Sequence, residues 1–101
     1  MPARKVDDNQ FAIVDALRRV GANVLSLAAV GKGCPDLLIG YAGDIYLLEV
    51  KGEKGKLTPA QRLWHKVWEN YVDVVRSEEE ALRVIGATGP YGCGGDCEPG
   101  C

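Results

Sequence analysis

Apolar and polar positions alternate along the chain with periods that change from helix-like to strand-like and back. Across residues 7–20 the apolar residues Phe11, Val14, Leu17 and Val20 recur at helical spacing, and Gly21 stands where a helix C-terminal glycine is wanted. Residues 22–29 alternate apolar and small side chains after Val24 and run into the loop Gly31-Lys32-Gly33, which predicts a strand. Residues 35–41 and 45–51 are two apolar β-type runs joined by Ala42-Gly43-Asp44, so they are expected to pair antiparallel through a short hairpin. Thr58-Pro59-Ala60-Gln61 reads as a helix start, with Thr58 as N-cap, Pro59 at the first helical position and Gln61 completing a capping box. This helix is expected to reach about Asn70, and its Leu63, Trp64, Val67, Trp68 and Tyr71 form an apolar face wide enough to cover one side of a sheet. Val72 to Val75 is a short β-branched strand, and Ser77-Glu78-Glu79-Glu80 opens a last helix before Ala81, Leu82 and Ile85. The predicted order is α-β-β-β-α-β-α, an α/β domain.

This order brings charged residues together. Side chains alternate along a strand, so Glu49 and Lys51 project to one face and Val50 to the other. A hairpin centred near Gly43 carries Asp36 to within about a residue of Val50 across the ladder. Two carboxylates and an ammonium then converge. Glu-x-Lys is a common tripeptide that usually marks a solvent face, but here the apolar run Ile45-Tyr46-Leu47-Leu48 predicts burial where the charges appear. Unpaired charge is costly in such a place, which points to a site. A carboxylate pair suits Mg²⁺, an ion usually held by one or two carboxylates and waters that can polarise a phosphodiester. An ammonium beside it can orient an attacking water and stabilise charge building on phosphate.

The chain has 101 residues, enough for one domain with a modest core, so help from a partner subunit is plausible. Its 47% hydrophobic and 26% charged content belongs to the soluble globular class, and no apolar stretch is long enough for a membrane span. The charged N-terminus lacks the apolar run of a secretory signal, which points to the cytoplasm and to free thiols. A formal charge of −2 argues against holding nucleic acid by overall electrostatics. A local patch, with Lys32, Lys54, Lys56, Arg62 and Lys66 around Lys51, remains available. After Gly86 the periodicity ends and Gly, Pro and Cys dominate, which divides the chain into a domain over 1–86 and a flexible tail over 87–101. Cys93, Cys97 and Cys101 with Cys34 are enough thiols for a zinc or iron-sulfur site, but their spacing matches such sites weakly, and a cluster at Cys34 would crowd Asp36.

Three segments together, Gly33-Cys34-Pro35-Asp36-Leu37-Leu38-Ile39, Leu48-Glu49-Val50-Lys51 and Lys56-Leu57-Thr58-Pro59-Ala60-Gln61, resemble the VRR-NUC branch of the PD-(D/E)xK nucleases. The resemblance spans roughly residues 8 to 85 and extends to the element order. It implies a small restriction-endonuclease-like core, a mixed four-stranded sheet flanked by helices. It also implies that Asp36 and Glu49 bind Mg²⁺, with Mn²⁺ as a substitute, that the Val50 carbonyl adds a ligand, and that Lys51 serves the nucleophilic water. Gln61 would either assist from its helix or act as the capping-box residue, one role excluding the other. His65, one turn further on, is expected to be solvated and stays outside the catalytic set. Such nucleases often complete the metal site with a glutamate on the first helix, where this chain offers Asp7, Asp8 and Gln10. Asp8 is the expected stand-in, although Asp7 and Asp8 also suit a helix N-terminus. Lys32, Lys54, Lys56, Arg62 and Lys66 would contact DNA. The implied activity is cleavage of DNA, selective for branched forms such as a four-way junction, by a homodimer. A site-specific restriction enzyme is disfavoured because little chain is spare for loops that read bases. A non-catalytic nucleic-acid-binding module is the alternative.

Overall fold

The computed structural model describes residues 4–87, with side chains described from Asn9 onward. Apart from Ala87, the expected tail over 87–101, with Cys93, Cys97 and Cys101, lies outside the described residues. The elements follow the expected order: α1 (Arg4–Arg19), β1 (Asn23–Ser26), β2 (Leu37–Tyr41), β3 (Asp44–Val50), α2 (Pro59–Val67), β4 (Val72–Val75) and α3 (Glu78–Val84). β1 is shorter than the apolar pattern predicts, because the Ala28 amide turns back onto Ser26 Oγ (3.2 Å) and the chain leaves the sheet. α2 ends before Asn70, which sits at φ 78° in the left-handed region that a continuing helix cannot use.

The sheet runs β1-β2-β3-β4, with the first three strands antiparallel and β4 parallel to β3. The β2–β3 hairpin closes at the pair Tyr41↔Asp44. Its two loop residues, Ala42 and Gly43, both have positive φ (51° and 87°), the backbone twist that matches two right-twisted strands.

One face of the sheet carries the core. Leu37 and Ile39 of β2, Leu48 and Val50 of β3 and Val75 of β4 pack against Ile13 and Leu17 of α1 and against Ala81 and Ile85 at the other helix. Ala87, bonded through its amide to Leu82 O, also packs there. The opposite face is largely open. Leu25, Leu38 and Leu47 are successive cross-strand partners and therefore share that face, as does Ile45 two residues from Leu47. Leu25 is 57% and Ile45 71% exposed. The expectation that α2 covers a sheet with its apolar stripe is therefore corrected: α2 contains no buried residue, and Leu63, Val67, Trp68 and Tyr71 are exposed. α2 is tied down by its polar stripe instead, for reasons visible at the site. Among the described residues no helix is long and apolar enough to cross a membrane.

Candidate active site

β3 ends in Glu49-Val50-Lys51, and the strand alternation sends Val50 into the core and Glu49 to the other face. Glu49 is nevertheless only 1% exposed, because Gln61 and His65 of α2 approach it from above. Its Oε2 accepts from Gln61 Nε2 (3.0 Å) and lies 3.6 Å from Lys51 Nζ. Its Oε1 lies 4.0 Å from His65 Nε2, and neither of these two buried atoms has a hydrogen-bond partner. Asp36 precedes β2, and extension of the Leu37↔Leu48 register sets it opposite Glu49. Its Oδ2 accepts from the Val50 amide at 2.7 Å, so the carboxylate takes a backbone donor at the end of the ladder and is held beside Glu49. Burial first, and then the Asp36 charge, push the Glu49 carboxyl up to about 7 against the opposing pull of Lys51. Burial, followed by Lys51, lowers His65 below the usual imidazole range. The Cys34 thiol is raised by burial, then by Glu49 and Asp36.

Gln61 closes the expected capping box and also reaches the charged pair. Its Oε1 accepts from the Thr58 amide (2.9 Å) and from Lys51 Nζ (2.8 Å), while Thr58 Oγ1 accepts from the Gln61 amide (3.2 Å). A carboxamide oxygen has two lone pairs, and the amino group remains free for Glu49, so one side chain closes the capping box and links both charged residues. The backbone around Lys51 is held from three directions. Asn9 Nδ2 donates to Lys51 O (2.9 Å), the Lys51 amide donates to Val75 O (3.0 Å), and Arg76 Nη1 donates to Gly52 O and Gly55 O (2.7 Å each). Gly33, at φ +86°, lets the loop before β2 touch the start of α2: a Cβ there would lie 2.4 Å from Ala60 O.

A solved structure described as a "VRR_NUC domain" is similar to this chain, with a TM-score of 0.61 and 30% sequence identity over 80% of this chain and 94% of that one. The chain belongs to the VRR-NUC family. No family model matches it, and no curated protein matches it. The three helices and mixed four-stranded sheet are thus those of a VRR-NUC nuclease-type domain.

Within this VRR-NUC domain the structure brings Asp36, Glu49, Lys51 and Gln61 together. The side chains of Asp7 and Asp8 lie outside the described residues. Gln10 lines a shallow groove along α1 with Phe11, Val14 and Arg18, and it is Asn9 that reaches the end of β3. Lys32, Lys54, Lys56, Arg62 and Lys66 are exposed, and among the described residues none of them forms an ion pair. His65 was expected to be solvated, yet its side chain is 13% exposed and directed at Glu49. Its spacing of four residues from Gln61 was the available signal, since both then share one stripe of α2.

Among the described residues no three His, Cys, Asp or Glu side chains are gathered closely enough to enclose a metal ion. The site offers a carboxylate pair instead. Hard oxygen donors, one of them the unpartnered Glu49 Oε1, fit an ion such as Mg²⁺ or Mn²⁺ that keeps several waters.

Proposed function

We propose that this VRR-NUC domain, residues 1–86 in the sequence reading, is a Mg²⁺-dependent endonuclease that hydrolyses DNA and prefers branched forms. The observation that carries the reading is the state of Glu49. A carboxylate buried to 1% exposure has one oxygen committed to Gln61 and the other without a partner, beside a second carboxylate. Such an arrangement is costly in a purely structural role and useful in a metal-binding one. Asp36 and Glu49 would hold the ion, with the Val50 carbonyl and Asp8 as further candidate ligands and Mn²⁺ as a substitute. The ion would supply Lewis-acid activation of water and phosphate. Lys51, fixed by Gln61 at 2.8 Å, would orient the attacking water and stabilise negative charge on phosphate. Lys32, Lys54, Lys56, Arg62 and Lys66 would neutralise backbone phosphates, a local substitute for the net positive charge the chain lacks.

Labelled linear, flapped and four-way-junction DNA, incubated with Mg²⁺ or Mn²⁺, tests the reading. Divalent-dependent cleavage is expected, fastest on a branched substrate, with Asp36→Ala and Lys51→Ala slower by about 100-fold or more. Absence of cleavage on every substrate, or equal cleavage by the variants, rules the reading out.

The same reading includes a homodimer. The open sheet face bears Leu25, Leu38, Ile45 and Leu47, and α2 turns Leu63 and Val67 outward with Trp68 and Tyr71 beyond its end. Exposed apolar surface of this kind is typical of interaction sites, and two copies would present two catalytic centres to the strands of one junction.

A further inference from the structure

We infer that His65 is a positioning residue of the metal centre, its Nε2 holding a water that bridges to Glu49 Oε1. This inference rests on the metal-dependent reading of the same site. Its basis is a pair of buried polar atoms, one on α2 and one on β3, that face each other without partners. Burying one unpartnered polar atom costs about 1–3 kcal/mol, so two that share a gap are expected to be satisfied by the same species.

The separation selects that species. At 4.0 Å the atoms are too far apart for a direct hydrogen bond, whose N···O distance is about 2.7–3.2 Å. Two neighbouring ligands at right angles on an ion with bonds of about 2.1 Å stand about 3 Å apart, so joint direct ligation would require His65 to move toward Glu49 by about 1 Å. A water about 2.8 Å from each atom spans 4.0 Å with an angle near 90°, which matches the observed separation. Glu49 Oε2 accepts from Gln61 whereas Oε1 has no partner, so Oε1 is the freer oxygen for a metal. A water between Oε1 and His65 Nε2 therefore adjoins the metal, and the imidazole would orient both that water and the carboxylate.

His65 comes from the helix that also supplies Gln61, and the two divide the work. Gln61 orients Oε2 and Lys51, and His65 lies against Oε1, the oxygen that would hold the ion. Partners of metal ligands typically contribute 10–100-fold in metal affinity.

Calorimetric titration of the full chain with Mn²⁺ tests the inference, using His65→Ala, His65→Gln and His65→Asn beside Glu49→Gln. Glutamine carries a polar atom at the Nε2 position and asparagine one nearer Nδ1. The expected result is about 10-fold weaker binding or more for His65→Ala and His65→Asn, recovery to within about threefold for His65→Gln, and loss of binding for Glu49→Gln. If His65→Ala does not fold, the Gln and Asn variants still decide. Wild-type affinity in His65→Ala or His65→Asn, with Glu49→Gln still abolishing binding, overturns the role of His65 and leaves the metal reading standing. Binding indifferent to Glu49→Gln, or no Mn²⁺ binding by the wild type, overturns both. Pulsed paramagnetic resonance of bound Mn²⁺ is expected to lack the strong nitrogen coupling of a directly bonded imidazole, and finding that coupling would overturn the bridging water.

Discussion

At the scale of single residues the site is organised around the buried Glu49 carboxyl, and its pH behaviour follows. An unfolded chain releases this proton near pH 4.5, whereas the folded protein holds it to about 7, so between these values the native state binds the extra proton. Stability contributed by this group is therefore present at low pH and declines as pH rises through the window. The full decline is about 3 kcal/mol, from roughly 1.4 kcal/mol per pKa unit. In chelator, denaturation midpoints of wild type relative to Glu49→Gln are expected to fall between about pH 5 and pH 8. A constant difference would contradict the raised pKa. In the proposed metal-binding role Glu49 would have to be ionised, so Mn²⁺ affinity is expected to rise with pH through about 7 and then level. Gln61 joins both ends of the problem. Gln61→Ala removes half of a capping box and the bonds to Glu49 and Lys51, so a loss of about 1–3 kcal/mol in urea unfolding is expected, together with slower cleavage. A stability loss with unchanged cleavage would reduce Gln61 to a cap.

At the scale of elements, the functional arrangement depends on how α2 meets the sheet. The loop before β2 touches the first turn of α2 at Gly33, where an added Cβ would meet Ala60 O at 2.4 Å. Gly33→Ala combines that clash with a positive φ and is expected to cost about 2–4 kcal/mol. Gly31→Ala is the control. It has a similar φ of +69° but open space around its Cβ, so only about 1 kcal/mol is expected. Equal costs in denaturant titrations would show that the loop does not press on α2. On the other side, Arg76 draws together Gly52 O and Gly55 O, which holds the turn that follows Lys51. The helix and the turn thus secure Lys51 from two directions through contacts between elements distant in sequence.

At the scale of the whole molecule, one face of the sheet is packed and the other is open. Ile13, Leu17, Leu37, Ile39, Leu48 and Val75 are essentially inaccessible, while Leu25, Ile45, Leu63 and Val67 are more than half exposed. If the open face joins two copies, Ile45→Asp and Val67→Asp are expected to convert a dimer to a monomer in sedimentation experiments without unfolding it. A wild type that sediments as a monomer at all concentrations would refute the homodimer.

The sequence by itself determined the order of the described elements and, β1 and the end of α2 apart, their approximate extent, because hydrophobic period, capping residues and the hairpin glycine all act within a few neighbouring positions. The convergence of Asp36, Glu49 and Lys51 was legible for the same reason, being a consequence of strand alternation across a two-residue turn. Only the tertiary structure decided which stripe of α2 faces the sheet. An amphipathic helix advertises its apolar side, and nothing local reveals that its docking partner is a buried carboxylate that draws in Gln61 and His65 and turns Leu63 and Val67 outward. For the same reason the joint roles of Gln61, the burial of His65 and the reach of Asn9 to Lys51 O were not legible. Each depends on a contact between separate elements, which only the packed chain specifies.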